Sequence, residues 1–262
     1  MKKKNITLLI VSAFMLLFIV ACKKNELSLT QFSLPQDKAY VRFGLLSPNT
    51  TAVMIKINGV KINGANTPGS AGFFPAILNM PDYSAVVPNG VLRLSLPNFG
   101  TANDSVLIFS GNLSMSAGKY YAVCLADTGT DRSLFAVEDK LGALPDSGFF
   151  NLRMINAMGK SLPLSLIRVD STSATVVTRD TLIKNVTYQT GSNFIKVPVS
   201  SINTFSRFRL IITSTGVSIG NVITPPAPNL INKRSATLYA SGSMAGIGTL
   251  APSLSTSFIY NQ

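Results

Sequence analysis

The chain of 262 residues contains no histidine, no tryptophan and only two cysteines. Without histidine there is no Ser–His–Asp or Cys–His arrangement, no customary general base, and no member of most zinc-ligand sets. No G-x-S-x-G elbow, phosphate loop or dinucleotide fingerprint occurs. Charged residues are scarce at 13%, and acids are the scarcest, 11 against 23 Lys and Arg, for a net charge of +12. Hydrophobic residues reach 46%, which supplies a packed core and argues against global disorder. Sustained helical periodicity is also missing from the body of the chain, and what remains is strand-like.

The N-terminus is the first feature with a direction. Lys2, Lys3 and Lys4 precede an apolar run from Ile6 to Ala21, shorter than the roughly 20 residues that span a bilayer core. A basic start, a short apolar stretch and small residues before a cut describe a secretory signal peptide over residues 1–21. Ile19, Val20, Ala21 and Cys22 resemble the bacterial lipobox. That resemblance implies cleavage between Ala21 and Cys22, acylation of Cys22, and an outer-membrane lipoprotein of the Gram-negative envelope. Each buried methylene contributes about 0.8 kcal/mol, so several acyl chains hold where one does not. Lys23, Lys24 and Glu26 leave open which face of the outer membrane the protein occupies. Residues 22–37 read as a tether. Cys124, within the alternating apolar "YYAVCLAD", is then the only other thiol, expected to be buried and in no disulfide.

Charge is uneven along the remainder. Residues 23–148 carry ten Lys/Arg against nine Asp/Glu, whereas residues 149–262 carry ten against two, a net +8. Nucleic acid is not an expected partner for an exported lipoprotein. The basic second half could meet acidic polysaccharide or lipid head groups, although basic residues guarding strand edges and solvated faces account for it equally simply, and that is the preferred reading.

Short β-rich runs bounded by Gly, Pro, Asn or Asp follow one another: "YVRFGLL", "VMIKI", "VLRLSL" (91–96), "SVLIFSG" (105–111), "KYYAVCLAD" (119–127) and "SLFAVED" (133–139). Asn58–Gly59 is a strong hairpin signal. The pattern also repeats. "YVRFGLLSP" (40–48) is echoed by "NLRMINAMG" (151–159), "GVLRLSLP" (90–97) by "NFIKVPVS" (193–200), and "AGKYYAVCLADTG" (117–129) by "NKRSATLYASGSM" (232–244), at offsets of 111, 103 and 115. Units of about 100 residues with some seven short strands predict an all-β chain of two tandem immunoglobulin-like sandwiches. Their expected bounds are 38–145 and 146–262, joined through "GALPDSG" (142–148).

"KAYVRFGLLSPNTTAVMIKINGVKI", "YSAVVPNGVLRLSL" and "SAGKYYAVCLAD...SLFAVEDK" resemble the domain-of-unknown-function 4397 family. The first unit fits the pattern, while the second has lost its S-P turn and its hairpin. The resemblance implies exported, often lipid-anchored sandwich modules and carries over no catalytic residue.

Several motifs invite chemistry and fall short of it. "SAGK" (116–119) matches the S-x-x-K of penicillin-recognising enzymes, but Gly118 makes it a turn entering a strand and no K-T-G accompanies it. Glu138 and Asp139 are adjacent acids that would face opposite sides of an extended strand, so they read as an acidic strand end and not as a glycosidase pair. "DTGTD" (127–131) offers too few oxygens for calcium and reads as a hairpin turn. No cofactor and no metal is expected. Of Tyr120 and Tyr121 one should face outward and the other fill the core, and a single exposed tyrosine is no sugar platform. Ser105, Ser171 and Thr181, each following an aspartate, resemble a D-(S/T)-apolar O-glycosylation signal. The expected function is a non-enzymatic envelope protein that binds a glycan, matrix component or envelope protein, the alternative being a subunit of a surface assembly paired through strand edges. A carboxylate-dependent glycosidase is the remote third reading.

Overall fold

The structure is a computed structural model that describes residues 35–46, 54–62, 83–96, 106–127, 132–140, 142–171, 177–225, 227–244 and 252–259. The signal sequence, Ala21, Cys22, most of the tether, Ser105 and the centre of "DTGTD" lie outside them. The fold is all-β. The first half contributes β1 (Ala39–Leu45), β2 (Met54–Ile57), β3 (Val60–Lys61), β4 (Ser84–Val86), β5 (Val91–Leu96), β6 (Val106–Asn112), β7 (Tyr120–Asp127) and β8 (Arg132–Glu138). The second contributes β9 (Phe149–Asn156), β10 (Leu164–Ser171), β11 (Val177–Val186), β12 (Thr190–Gly191), β13 (Ile195–Pro198), β14 (Ser206–Ile212), β15 (Ser218–Ile223), β16 (Ser235–Ser241) and β17 (Ser253–Ile259). A single helical turn, Pro228–Ile231, precedes β16.

These strands form four sheets, ordered β4-β1-β7-β8, β3-β2-β5-β6, β12-β9-β16-β17 and β11-β10-β14-β15, with β13 also paired to β9. Strands β1 to β8 supply the first two and β9 to β17 the others, so each half builds two sheets. The halves repeat one topology. β1 runs parallel to β7 as β9 runs parallel to β16, and each parallel pair sits at the centre of its sheet. The register places Arg42 beside Ala122 and Arg153 beside Thr237, so the two arginines are equivalent positions of the repeat.

One echo in the sequence misleads. "NFIKVPVS" contains β13, which borders β9 as β4 borders β1. The true counterpart of "VLRLSL" is β14, "SRFRLII", third in its sheet as β5 is in its own. Both segments alternate apolar and polar residues, and alternation alone does not select a neighbour.

Turn chemistry behaves as the residues dictate. Asn58 and Gly59 have φ of 48° and 81°, the double left-handed geometry of a tight hairpin, and they join β2 to β3. Gly118 of "SAGK" has φ of 73° in the turn that enters β7.

Each pair of sheets encloses a core. Val41, Phe43, Ile55, Leu92, Leu94, Tyr121, Val123 and Leu125 fill the first. Phe150, Leu152, Met154, Leu164, Leu166, Phe208, Leu210 and Leu238 fill the second. Fully burying one such side chain stabilises by about 1.5–3 kcal/mol. A third cluster joins the halves: Leu46, Ala122, Cys124 and Ala126 from the first meet Ile155, Ala157 and Tyr239 from the second. β7 therefore buries both its faces. Tyr121, Val123 and Leu125 enter the sandwich core, while the small Ala122, Cys124 and Ala126 let the second sandwich approach its back. Strands buried on both faces read as continuous apolar runs, as "YYAVCLA" does. Gly191 of β12 is one point of close approach, where a Cβ would stand 2.7 Å from Val137 Cγ1 of β8.

Candidate functional site

The ionisable groups with the strongest claim to a role converge at this junction. Asp139 follows the last residue of β8, where the chain leaves the first sandwich, and is 2% exposed. Arg42, 6% exposed, projects from β1, and Arg153, 1% exposed, from β9. Arg42 Nε donates to Asp139 Oδ2 at 2.9 Å, and Arg153 Nη2 donates to Asp139 Oδ1. The Tyr83 hydroxyl donates to Oδ2 as well. Thr237 Oγ1, on β16, accepts from Arg42 Nη2 at 2.9 Å and from Arg153 Nε at 3.0 Å. Arg153 Nη1 donates to the Glu138 carbonyl at 3.1 Å. One carboxylate from the connection thus ties equivalent arginines of the two sandwiches, and Arg42 also reaches directly across to Thr237.

Aromatic rings surround the cluster. The Arg42 guanidinium lies 5.8 Å from the Tyr83 ring centre and that of Arg153 lies 4.8 Å from Phe194, distances at which a cation is attracted to the ring face. Tyr120 stacks on Tyr40 at 5.0 Å and meets Tyr83 edge-on at 4.9 Å. Tyr121 is a core residue whose hydroxyl accepts from the Ser116 amide at 2.9 Å. The tyrosine pair divides as its alternation requires, but Tyr120 belongs to a packed trio instead of standing free.

A recess of about 150 Å³ opens beside the cluster. Val137, Glu138 and Lys140 line it from the first sandwich, and Arg153, Asn193 and Phe194 from the second. Glu138 pairs with Lys119 at 3.0 Å, and every donor nitrogen of Arg153 already has an acceptor. Among the described residues no group of three His, Cys, Asp or Glu could hold a metal ion.

Burial sets the proton affinities here. Loss of hydration pushes the Cys124 thiol up to about 12 and the Tyr83 phenol up to about 12, against the opposing pull of Arg153 and Arg42. Loss of hydration also lowers Arg153 to about 10, and Arg42 adds to the effect. Above pH 9.0, the ordinary value for the thiol, unfolding lets Cys124 release a proton that the native state retains, so stability falls as pH rises towards 12. Tyr83 and Tyr239, both raised from 10.0 chiefly by loss of hydration, add the same trend from there. Arg153 opposes them, because above about pH 10 the unfolded chain holds a proton that the native state loses. The urea midpoint should therefore start to fall near pH 9. In Cys124→Ala the fall should start about one unit later, and equal onsets in the two proteins would refute this assignment.

The other residues singled out by sequence do not join the cluster. Ser171 ends β10, half-buried, and Thr181 is exposed on β11, where its backbone is paired with Ile167. Glu138 and Asp139 diverge as adjacent extended residues should, but Asp139 turns into the protein instead of ending a solvated strand. Arg42 and Arg153 likewise depart from the expectation that basic residues sit on solvated faces. Their matching places in "YVRFGLLSP" and "NLRMINAMG" were the signal for that, and Asp139 gave none. No protein-family model and no curated protein matches this chain.

Proposed function

We propose that the chain is a non-enzymatic lipoprotein of the Gram-negative outer membrane, held by acylated Cys22, whose sandwiches form one rigid body for binding a glycan, matrix component or envelope protein. In this reading each sandwich is an immunoglobulin-like module, the first of them of the 4397 type. The observation that carries it is the use made of Asp139. The most deeply placed acid at the junction has both oxygens occupied by Arg42, Arg153 and Tyr83. A carboxylate so engaged serves to fix one sandwich against the other and is not free for proton transfer. Fixed relative orientation lowers the entropy lost when two modules present one surface.

A second reading, a subunit of a surface assembly, draws on β11. Among the described residues this ten-residue strand pairs with β10 on one side only, and its other edge has no strand neighbour in the sheet. Exposed Arg179, Asp180 and Lys184 along it are edge guards of the kind that discourage pairing, which favours the first reading.

Protease treatment of intact cells, compared with cells whose outer membrane has been broken, tests the proposal. Digestion of intact cells places the partner outside, and protection until breakage places it in the periplasm. Recovery of the chain from the cytoplasm would overturn the proposal.

A further inference from the structure

We infer that the outer face of the β11-β10-β14-β15 sheet binds an acidic polysaccharide. This inference rests on the proposed binding role and names its ligand class. Strand register sets the geometry. Val169 of β10 is flanked in one row by Arg179 of β11 and Arg207 of β14. Ile167 is flanked in the next by Thr181 and Arg209. Directly opposed residues of antiparallel strands share a face. Phe208 and Leu210 enter the core, so Arg207 and Arg209, their neighbours along β14, point away from it. Two strand spacings separate Arg179 from Arg207, about 10 Å, and two residues along one strand separate Arg207 from Arg209, about 7 Å.

No acid of the second sandwich neutralises this face. Residues 149–262 contain only two, Asp170 and Asp180. Their rows hold Phe208 and Ser206, on the core side of the sheet, where Arg168 engages them at 3.1 and 3.5 Å. Arg207 is steadied by Nη1 donating to the Thr204 and Ser206 carbonyls at 2.9 and 2.7 Å. Arg209 Nε is buried without a hydrogen-bond partner among the described residues. Phe205, two positions before Arg207 and 58% exposed, adds an aromatic surface at the end of the arginine line.

Guanidinium groups take carboxylate or sulfate bidentately, and an aromatic ring offers a surface to the apolar side of a sugar. A polymer repeats its charge along its length, so one chain can engage all three arginines and gain from their linkage. A lipid surface fits less well. Ile167 and Val169 are buried, and the exposed large apolar side chains beside these rows, Phe205 and Val222, are separate single residues and form no continuous inserting surface.

The test uses the full chain purified in detergent and affinity electrophoresis through gels containing polygalacturonate, with neutral dextran as control. The wild type should be retarded by polygalacturonate alone, and less so as salt is raised. Arg179→Gln/Arg207→Gln/Arg209→Gln should weaken this by about tenfold or more. Lys160→Gln/Lys196→Gln/Lys233→Gln removes the same charge from outside the sheet and should stay within about twofold of wild type. Equal loss in both variants, no retardation of the wild type, or binding confined to anionic vesicles would each overturn the inference. A circular-dichroism melt of each variant guards against misfolding. If the polymer fails to bind while the chain is still found at the membrane, only this inference falls. A cytoplasmic chain removes the proposed function itself.

Discussion

Asp139→Asn is expected to destabilise the fold by about 3–5 kcal/mol, the cost of removing one partner from a buried ion cluster. The wild-type cluster already carries two guanidinium groups against one carboxylate. Asparagine raises the uncompensated buried charge from one to two and turns an amide donor toward a guanidinium group, which only donates. Against a total stability of about 5–15 kcal/mol, that loss is large. It falls at the connection, so the sandwiches should also begin to unfold separately. The companion variant is Arg153→Met. It leaves Arg42 and Asp139 as a balanced pair and removes a side chain whose charged form is disfavoured by burial. Its cost should be clearly smaller than that of Asp139→Asn. Urea titrations of both proteins decide the matter, and a larger loss for Arg153→Met would show that packing, not charge, governs the cluster.

Cys22→Ala should move the protein from the membrane fraction to the soluble fraction almost completely. Among the described residues no helix is long and apolar enough to cross a membrane. The proposed attachment rests on acyl chains, at about 0.8 kcal/mol for each buried methylene. Removing the cysteine removes all of them together, along with the mass they add to the mature chain. Fractionation followed by intact-mass analysis reads both effects. A variant that remains membrane-bound at the mature mass would refute Cys22 as the anchor.

Local chemistry made much of this fold legible. Asn58–Gly59 turns where its residues require positive φ, and "YYAVCLAD" becomes a strand with a buried thiol. The offset of 111 between "YVRF" and "NLRM" locates equivalent strands in the two sandwiches. What escaped is long-range. β13 and β5 carry similar alternation, yet β13 joins the sheet of β9 while the counterpart of β5 is β14. Alternation fixes which side of a strand is apolar and leaves its neighbour open. The cluster at the junction was hidden for the same reason, since no spacing rule links positions 42, 139 and 153. The small residues on the back of β7 were visible, but they could be recognised as a contact surface only once a second sandwich was placed against them.

The central claim is that the Asp139 cluster and the apolar contact around Cys124 make the sandwiches one cooperative body. Calorimetric unfolding of the full chain in detergent at neutral pH tests it most directly. The account predicts a single transition whose calorimetric and van't Hoff enthalpies agree. Two resolved transitions in the wild-type protein, each carrying about half the total enthalpy, would contradict it.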